Sequence, residues 1–263
     1  MSNWLSRILI AIVLLPVVLG VVYLGGWWLF ALAVVACALA LHEFWLLARP
    51  LSPLAPAGYV GGILALVGAK LGGAEWMLGG VLVAFPLAFL LKGVAATRQA
   101  ATASISATVM GTLWVGGGLG FVLLVRELPH HGRLAALTVL LAVWAGDTFA
   151  YFFGRLLGRH RMAPTTSPGK TWEGFVFGTV ATVFVAFVCL YKQHFLTIPQ
   201  SLVLGGELSV AAPVGDQFES MLKRDMEVKD TGRMLGGHGG MLDRLDAVLF
   251  AAPAAYFLIL AFT

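Results

Sequence analysis

LAALTVLLAVWAGDTFAYFF, residues 134–153, carries one charged side chain, Asp147, in a mostly apolar run. As a helix, a run of about 20 residues spans about 30 Å, the thickness of a bilayer's hydrocarbon core. An acid inside it is costly unless it meets protein, water or a partner. Asp147 falls about two helical turns before the basic stretch that begins at Arg155, so it is expected to face a polar cavity at that helix end rather than lipid.

Runs of the same kind lie on both sides. They cover 6–24, 27–47, 56–72, 76–92 and 105–125 before it, and 173–191, 197–215 and 245–262 after it. Glycines, Pro199 and Glu207 interrupt the third and eighth of these spans, although glycine is common where membrane helices pack closely. With 59% hydrophobic and 11% charged residues in 263, the chain is far from the balance of a soluble globular domain. The expected fold is all-α: a polytopic integral-membrane bundle of about nine transmembrane helices, forming a single membrane domain over 1–263. Residues 1–130 would supply amino-terminal helices, and 131–263 the catalytic helices with two polar loops, 154–173 and 216–246. The first run lacks a convincing small-residue cleavage pattern and is read as a retained helix. Cys37 and Cys189 both sit in apolar runs, as packing thiols rather than a disulfide or metal pair.

Alternating crossings sort the cations unevenly. One side receives Arg7, Arg49, Lys92, Arg98, Arg155, Arg159, Arg161, Lys170, Lys223, Arg224, Lys229, Arg233 and Arg244; the other receives Lys70, Arg126, Arg133 and Lys192. Short cytoplasmic loops collect lysine and arginine, so the first side is expected to be cytoplasmic. The net charge of +4 then reflects orientation and anionic headgroups, and calls for no nucleic-acid partner. Compactness and the lack of a targeting extension point to a bacterial cytoplasmic (inner) membrane.

Both polar loops fall on that side. The first sets Arg155, Arg159, His160, Arg161 and Lys170 against one acid, Glu173. Ser167-Pro168-Gly169-Lys170-Thr171 reads as a turn with hydroxyls, a lysine and backbone donors just before a helix start, an arrangement that holds phosphate oxygens. Its glycine spacing is not that of a P-loop. A basic inside loop placed by topology alone is the competing reading. The second loop holds Asp216, Glu219, Asp225, Glu227, Asp230, Asp243 and Asp246 against five cations. Asp243 and Asp246, three apart at the start of the last helix, share one face, and Asp216 ends the preceding span. Such hard oxygen ligands suit magnesium, with room for a second cation. Gly236-Gly237-His238-Gly239-Gly240 provides backbone that can approach a ligand closely, with His238 either touching substrate or holding structure. Phe218, Met221, Leu222 and Met226 recur at helical spacing, as in a helix lying in the membrane interface. That would bring Lys223 and Arg224 to headgroup depth, unless they are an ordinary snorkelling pair. His42 and Glu43 in the second span are either a packed polar pair or functional.

Residues Ser220–Asp246, SMLKRDMEVKDTGRMLGGHGGMLDRLD, resemble the signature of the phosphatidate cytidylyltransferase family. Asp147–Arg155, DTFAYFFGR, and Ser167–Gly174, SPGKTWEG, resemble further segments of that family in the expected order. These motifs cover roughly the carboxyl-terminal half; the other half resembles the family only as a series of apolar helices. The resemblance implies a polytopic homodimeric enzyme that makes CDP-diacylglycerol and pyrophosphate from CTP and phosphatidate, with metal at Asp216 and Asp246.

On that reading Asp216, Lys223, Arg224, Asp243 and Asp246 form the catalytic set, with Asp216, Asp243 and Asp246 holding cations. Asp147, Ser167, Lys170, Thr171, Ser220, Lys229, Asp230, His238, Gly239, Gly240 and Arg244 would contact substrate. Phosphatidate brings its own nucleophilic phosphate oxygen, so no serine or cysteine nucleophile is needed. A CTP-dependent polyprenol or lipid kinase would use similar parts but release CDP. A cation-coupled transporter fits less well, because the charges gather at one face rather than near the midplane.

Overall fold

The computed structural model describes residues 3–94, 100–232 and 239–263, with side chains from Leu14 onward. In chain order the helices are α1 (Asn3–Leu24), α2 (Gly26–Leu47), α3 (Ala55–Val94), α4 (Ala101–Gly111), α5 (Gly118–Arg126), α6 (Gly132–Leu157), α7 (Trp172–Leu190), α8 (Ile198–Asp225) and α9 (Leu242–Phe262). The fold is all-α, as expected, apart from one antiparallel hairpin, β1 (Arg161–Ala163) and β2 (Ser167–Thr171). Six helices among the described residues are long and apolar enough to cross a bilayer: α2, α3, the continuous Ala101–Arg126 helix, α6, α7 and α9.

The longest of them, α3, is two arms. Gly73 takes a left-handed conformation (φ 78°), which a glycine adopts without a Cβ clash, and the helix folds back there. Gly61 then lies against Ala84, Gly68 against the backbone of Trp76, and Gly80 against the backbone of Leu64 and Ala65. The paired positions run in opposite directions, so 55–72 and 74–94 form an antiparallel hairpin whose small residues let the backbones meet. In the continuous Ala101–Arg126 helix, Ser104, Thr108 and Thr112 each bond back to the carbonyl four residues earlier. Such back-bonding loosens a helix. Here the ladder leads into a π-helical stretch, Thr112–Gly117.

A second small-residue seam joins α6 and α7, with Gly146, Ala150 and Gly154 facing Thr182, Gly178 and Gly174. Its four-residue spacing places one stripe on each helix. Pro199 opens α8 rather than interrupting it: Thr197 caps the helix and forms a reciprocal capping box with Gln200.

Helix ends gather in two layers. At one, Glu43 of α2 reaches the start of α9, the end of α6 meets the start of α7, and the end of α8 meets the hairpin. At the other, Arg126 donates to the last carbonyls of α1, Val22, Tyr23 and Leu24, complementing that helix's negative end. Lys70, near the Gly73 bend, pairs with Glu127 at 2.6 Å in the same layer. Exposed Trp27, Trp28 and Trp76 mark this layer, and Tyr151 and Trp172 the first, as aromatic residues do at membrane interfaces.

Candidate active site

Two sequence expectations change where the polar loops fold. Ser167–Thr171 is not a turn: the turn is Pro164–Thr166, and Ser167–Thr171 is strand β2, paired Arg161↔Thr171 and Ala163↔Ser167. A two-stranded hairpin has only edge strands, which is where Pro168 is tolerated. Nor is there a separate interfacial helix: α8 runs unbroken through Pro213 to Asp225, so Phe218, Met221 and Leu222 belong to its last turns and Met226 caps it.

The hairpin docks on that end of α8. Lys170 Nζ lies 2.9 Å from Asp216 Oδ2, Gln217 bonds the Thr166 hydroxyl, and Arg224 Nε donates to the Thr166 carbonyl at 3.1 Å. From behind, Glu173 Oε2 accepts the backbone N–H groups of Arg159 and His160, while its Oε1 pairs with the His160 ring at 2.6 Å. The Thr171 hydroxyl, expected to touch phosphate, accepts from Gly174 N and caps α7. Basic loop and acidic stretch, more than forty residues apart in sequence, thus share one surface.

Acidic groups converge beneath the hairpin. Asp246 lies near Glu219, Asp216 and Asp147, and Asp147 lies near Asp216 and Lys170 as well. Ser220 Oγ donates to Asp216 at 3.4 Å. Asp147 is exposed on α6 beside a cavity of about 20 Å³ walled partly by Thr179, Thr182 and Ser209, room for about one water. Glu219 is fully buried, within hydrogen-bonding reach of Asp246, and its Oε1 meets no donor among the described residues.

Lys223 binds Glu219 and Asp243, each at 2.8 Å. Asp243, expected as a metal ligand, is occupied otherwise. Its Oδ1 takes Lys223, and its Oδ2 accepts from Gly240 N at 2.8 Å, Thr231 N at 3.2 Å and Thr231 Oγ1 at 2.9 Å. A carboxylate with that many donors fixes a loop. Among the described residues, no three histidine, cysteine, aspartate or glutamate side chains are gathered in a metal-binding arrangement. Asp216 and Asp246 keep the hard-oxygen chemistry that suits magnesium, and the facing Glu219 and Asp246 carboxyls call for a shared proton or a cation.

The other expected contacts are dispersed around this centre. Arg224, Lys229 and Asp230 are exposed beyond it, Arg244 is exposed on the first turn of α9, and Ser167 is half-buried on β2. Gly239 has φ +81°, a backbone conformation that favours glycine, and Gly240 leaves no room for a Cβ beside the Glu43 and Thr231 side chains. His238, with Gly236, Gly237 and Arg233, lies outside the described residues. His42 bonds Tyr59 at 3.3 Å, away from Glu43.

An apolar groove of about 480 Å³ opens below the acidic group, between the second arm of α3, the π-helical stretch, α8 and α9. Phe218 and Phe250 form its upper wall, 5.4 Å apart between ring centroids, with Leu113, Trp114 and Leu249 alongside. Phe218 adjoins Glu219 in sequence, and Phe250 is one turn beyond Asp246.

The model of the cytidylyltransferase family matches residues 5–262. The chain belongs to that family. A phosphatidate cytidylyltransferase of Staphylococcus haemolyticus is 34% identical over 260 residues, which is 97% of this chain and 98% of that one. One from Bacillus subtilis is 36% identical over 155 residues, 59% of this chain and 58% of that one. One from Haemophilus influenzae is 38% identical over 130 residues, 48% of this chain and 45% of that one. Family membership therefore extends through the amino-terminal half, where the sequence offered only apolar helices.

Glu219 and Glu43 are the site residues that sequence reasoning did not assign. The i, i+4 spacing of Glu219 and Lys223 was the available signal for the first. For Glu43 the signal was only its cost inside an apolar span.

Proposed function

We infer that this cytidylyltransferase-family protein transfers the cytidylyl group of CTP to phosphatidate, giving CDP-diacylglycerol and pyrophosphate for phospholipid synthesis. The observation that carries the reading is the Lys170–Asp216 contact, which sets a basic, hydroxyl-bearing hairpin against an acidic group directly above an apolar groove. Relatives named for this activity, one of them aligned over 97% of the chain, support it.

A phosphate oxygen of phosphatidate attacks the α-phosphorus of CTP. The new P–O bond forms as the bond to the bridging oxygen of the β-phosphate breaks, and pyrophosphate leaves. Such a displacement needs position and charge neutralisation more than a protein nucleophile. Lys170 and Ser167 steady the triphosphate. Arg224, tied to the Thr166 carbonyl at the exposed edge, receives the lipid phosphate, and Lys223 holds the buried network that frames it. The acyl chains lie in the groove beneath Phe218 and Phe250.

Magnesium, when bound, would neutralise charge on the transferring and leaving phosphates; Asp216 and Asp246 are the residues to hold it, with Glu219 beside Asp246, and a second cation belongs to the same proposal. Asp147 and the remaining polar positions, Ser220, Lys229, Asp230, His238 and Arg244, complete the proposed substrate contacts.

The topology proposed here has nine crossings, with both arms of α3 and all of α8 counted. The amino terminus and the active site face the cytoplasm of a bacterial inner membrane, and the assembly is a homodimer. Cation asymmetry supports the orientation. Mass spectrometry of the lipid phase after incubation of detergent-purified protein with CTP, phosphatidate and magnesium tests the function. CDP-diacylglycerol is the expected product, and a phosphorylated lipid with free CDP would replace this reading with a kinase.

A further inference from the structure

We propose that Glu43 is a positioning residue for cytidylyl transfer: from α2 it caps the start of α9 and clamps the backbone on both sides of residues 233–238, thereby setting Asp243 and Lys223. The proposal rests on the transfer reading above.

Glu43 is 1% exposed, among Leu41, Phe44, Trp45 and Leu47, all buried. A carboxylate in such surroundings is retained at a cost unless donors meet it. Its Oε2 accepts the backbone N–H of Leu242 at 2.8 Å, across 199 positions of sequence. Leu242 is the first residue of α9, and Met241, at the N-cap position, offers no side-chain acceptor. Helix starts leave N–H groups without intrahelical partners and favour negative charge. Glu43 supplies from another helix the oxygen that Met241 lacks.

The same carboxylate reaches the other side of the segment. Thr231 Oγ1 stands between two acids, 3.4 Å from Glu43 Oε2 and 2.9 Å from Asp243 Oδ2. Gly232 and Gly240 leave no room for a Cβ, because one built at either would collide with the Glu43 carboxyl. Asp243 in turn holds Lys223 at 2.8 Å. A chain of contacts therefore runs from Glu43 through Thr231 and Asp243 to Lys223. Glu43 acts through these residues and touches no reacting atom.

Full-length Glu43→Ala, Glu43→Gln, Thr231→Val and the Glu43→Ala/Thr231→Val double variant, each in detergent beside the unaltered protein, provide the test. The readouts are kcat, KM for CTP and phosphatidate, and hydrogen exchange at the Leu242 amide. Glu43→Ala is expected to lower kcat by about 30-fold or more while moving either KM by less than about threefold, the pattern of lost transition-state alignment. Glu43→Gln keeps an acceptor for Leu242 N–H and should recover to within about fivefold of the unaltered protein. Leu242 exchange should accelerate in Glu43→Ala and stay protected in Glu43→Gln. The double variant should lose far less than the product of the two single losses, because the residues act in one chain. Unchanged kcat in Glu43→Ala, equal impairment of Gln and Ala, multiplicative losses, or unaltered Leu242 protection would overturn the proposal. Exchange reads the cap independently of catalysis. An unaltered protein that makes no CDP-diacylglycerol while Leu242 is protected as described would refute the transfer reading and leave the capping geometry standing.

Discussion

Lys170 Nζ and Asp216 Oδ2 stand 2.9 Å apart, joining β2 to the far end of α8. The pair brings two loops of opposite charge onto one surface and holds Lys170 toward the acidic group. Lys170→Met should lower kcat/KM for CTP by about 100-fold, equivalent to about 2.7 kcal/mol, through a higher KM. Lys170→Arg should recover part of that loss. Steady-state rates over a CTP series at saturating phosphatidate measure both.

Asp243→Asn removes the charge that faces Lys223 and weakens the acceptor for Gly240 and Thr231. Breaking a half-buried ion pair on one side costs about 3 kcal/mol. The variant should unfold at lower temperature in detergent and lose activity with it. Asp230→Asn, on an exposed stretch, should leave the unfolding temperature unchanged.

The α6–α7 seam gives a stability prediction with its own control. A Cβ at Gly174 would lie 2.6 Å from the Ala150 carbonyl oxygen, whereas one at Gly206 meets nothing within 4 Å. Gly174→Val should destabilise by about 1–3 kcal/mol or more through overpacking. Gly206→Ala should be neutral or stabilising by up to about 1 kcal/mol from helix propensity. Thermal unfolding of the two purified variants in one detergent compares them.

How much of this was legible beforehand depends on the range of the interaction. Each apolar run announced itself because hydrophobicity is a local property, and all nine runs lie on helix. Thr171 was read as a residue just before a helix start, where it now caps α7, although its hydroxyl was assigned to phosphate. The hairpin was missed: Pro168-Gly169 is a strong local turn signal, yet Pro164–Thr166 makes the turn once β2 pairs with β1. Asp243 looked like a metal ligand by spacing, and only the folded positions of Thr231, Gly240 and Lys223 show its oxygens committed. The Glu43–Leu242 contact, linking α2 to α9, has no local signature at all.

The proposed magnesium site at Asp216 and Asp246 has a test of its own. Chelation should abolish turnover and added magnesium restore it. Asp246→Asn should raise the magnesium concentration needed for half-maximal rate by at least about tenfold, judged by what losing even a supporting group costs a metal site. Activity of that variant over a magnesium series gives the answer.

Leu113 lines the apolar groove and is 52% exposed, so a larger side chain there has room to fold inward across it. Leu113→Trp should discriminate against long-chain phosphatidate relative to a short-chain analogue by about tenfold in kcat/KM, as pocket volume changes do. Parallel assays on the two lipids measure the ratio.

The most direct test of cytidylyl transfer at this site follows CTP labelled separately at the α- and γ-phosphorus, with phosphatidate and magnesium, in the unaltered protein and in Asp246→Asn. Cytidylyl transfer predicts α-label in the lipid phase, γ-label in pyrophosphate in equal amount, and a fall in both in the variant at limiting magnesium. γ-label in the lipid, or a normal rate from Asp246→Asn at limiting magnesium, would contradict it.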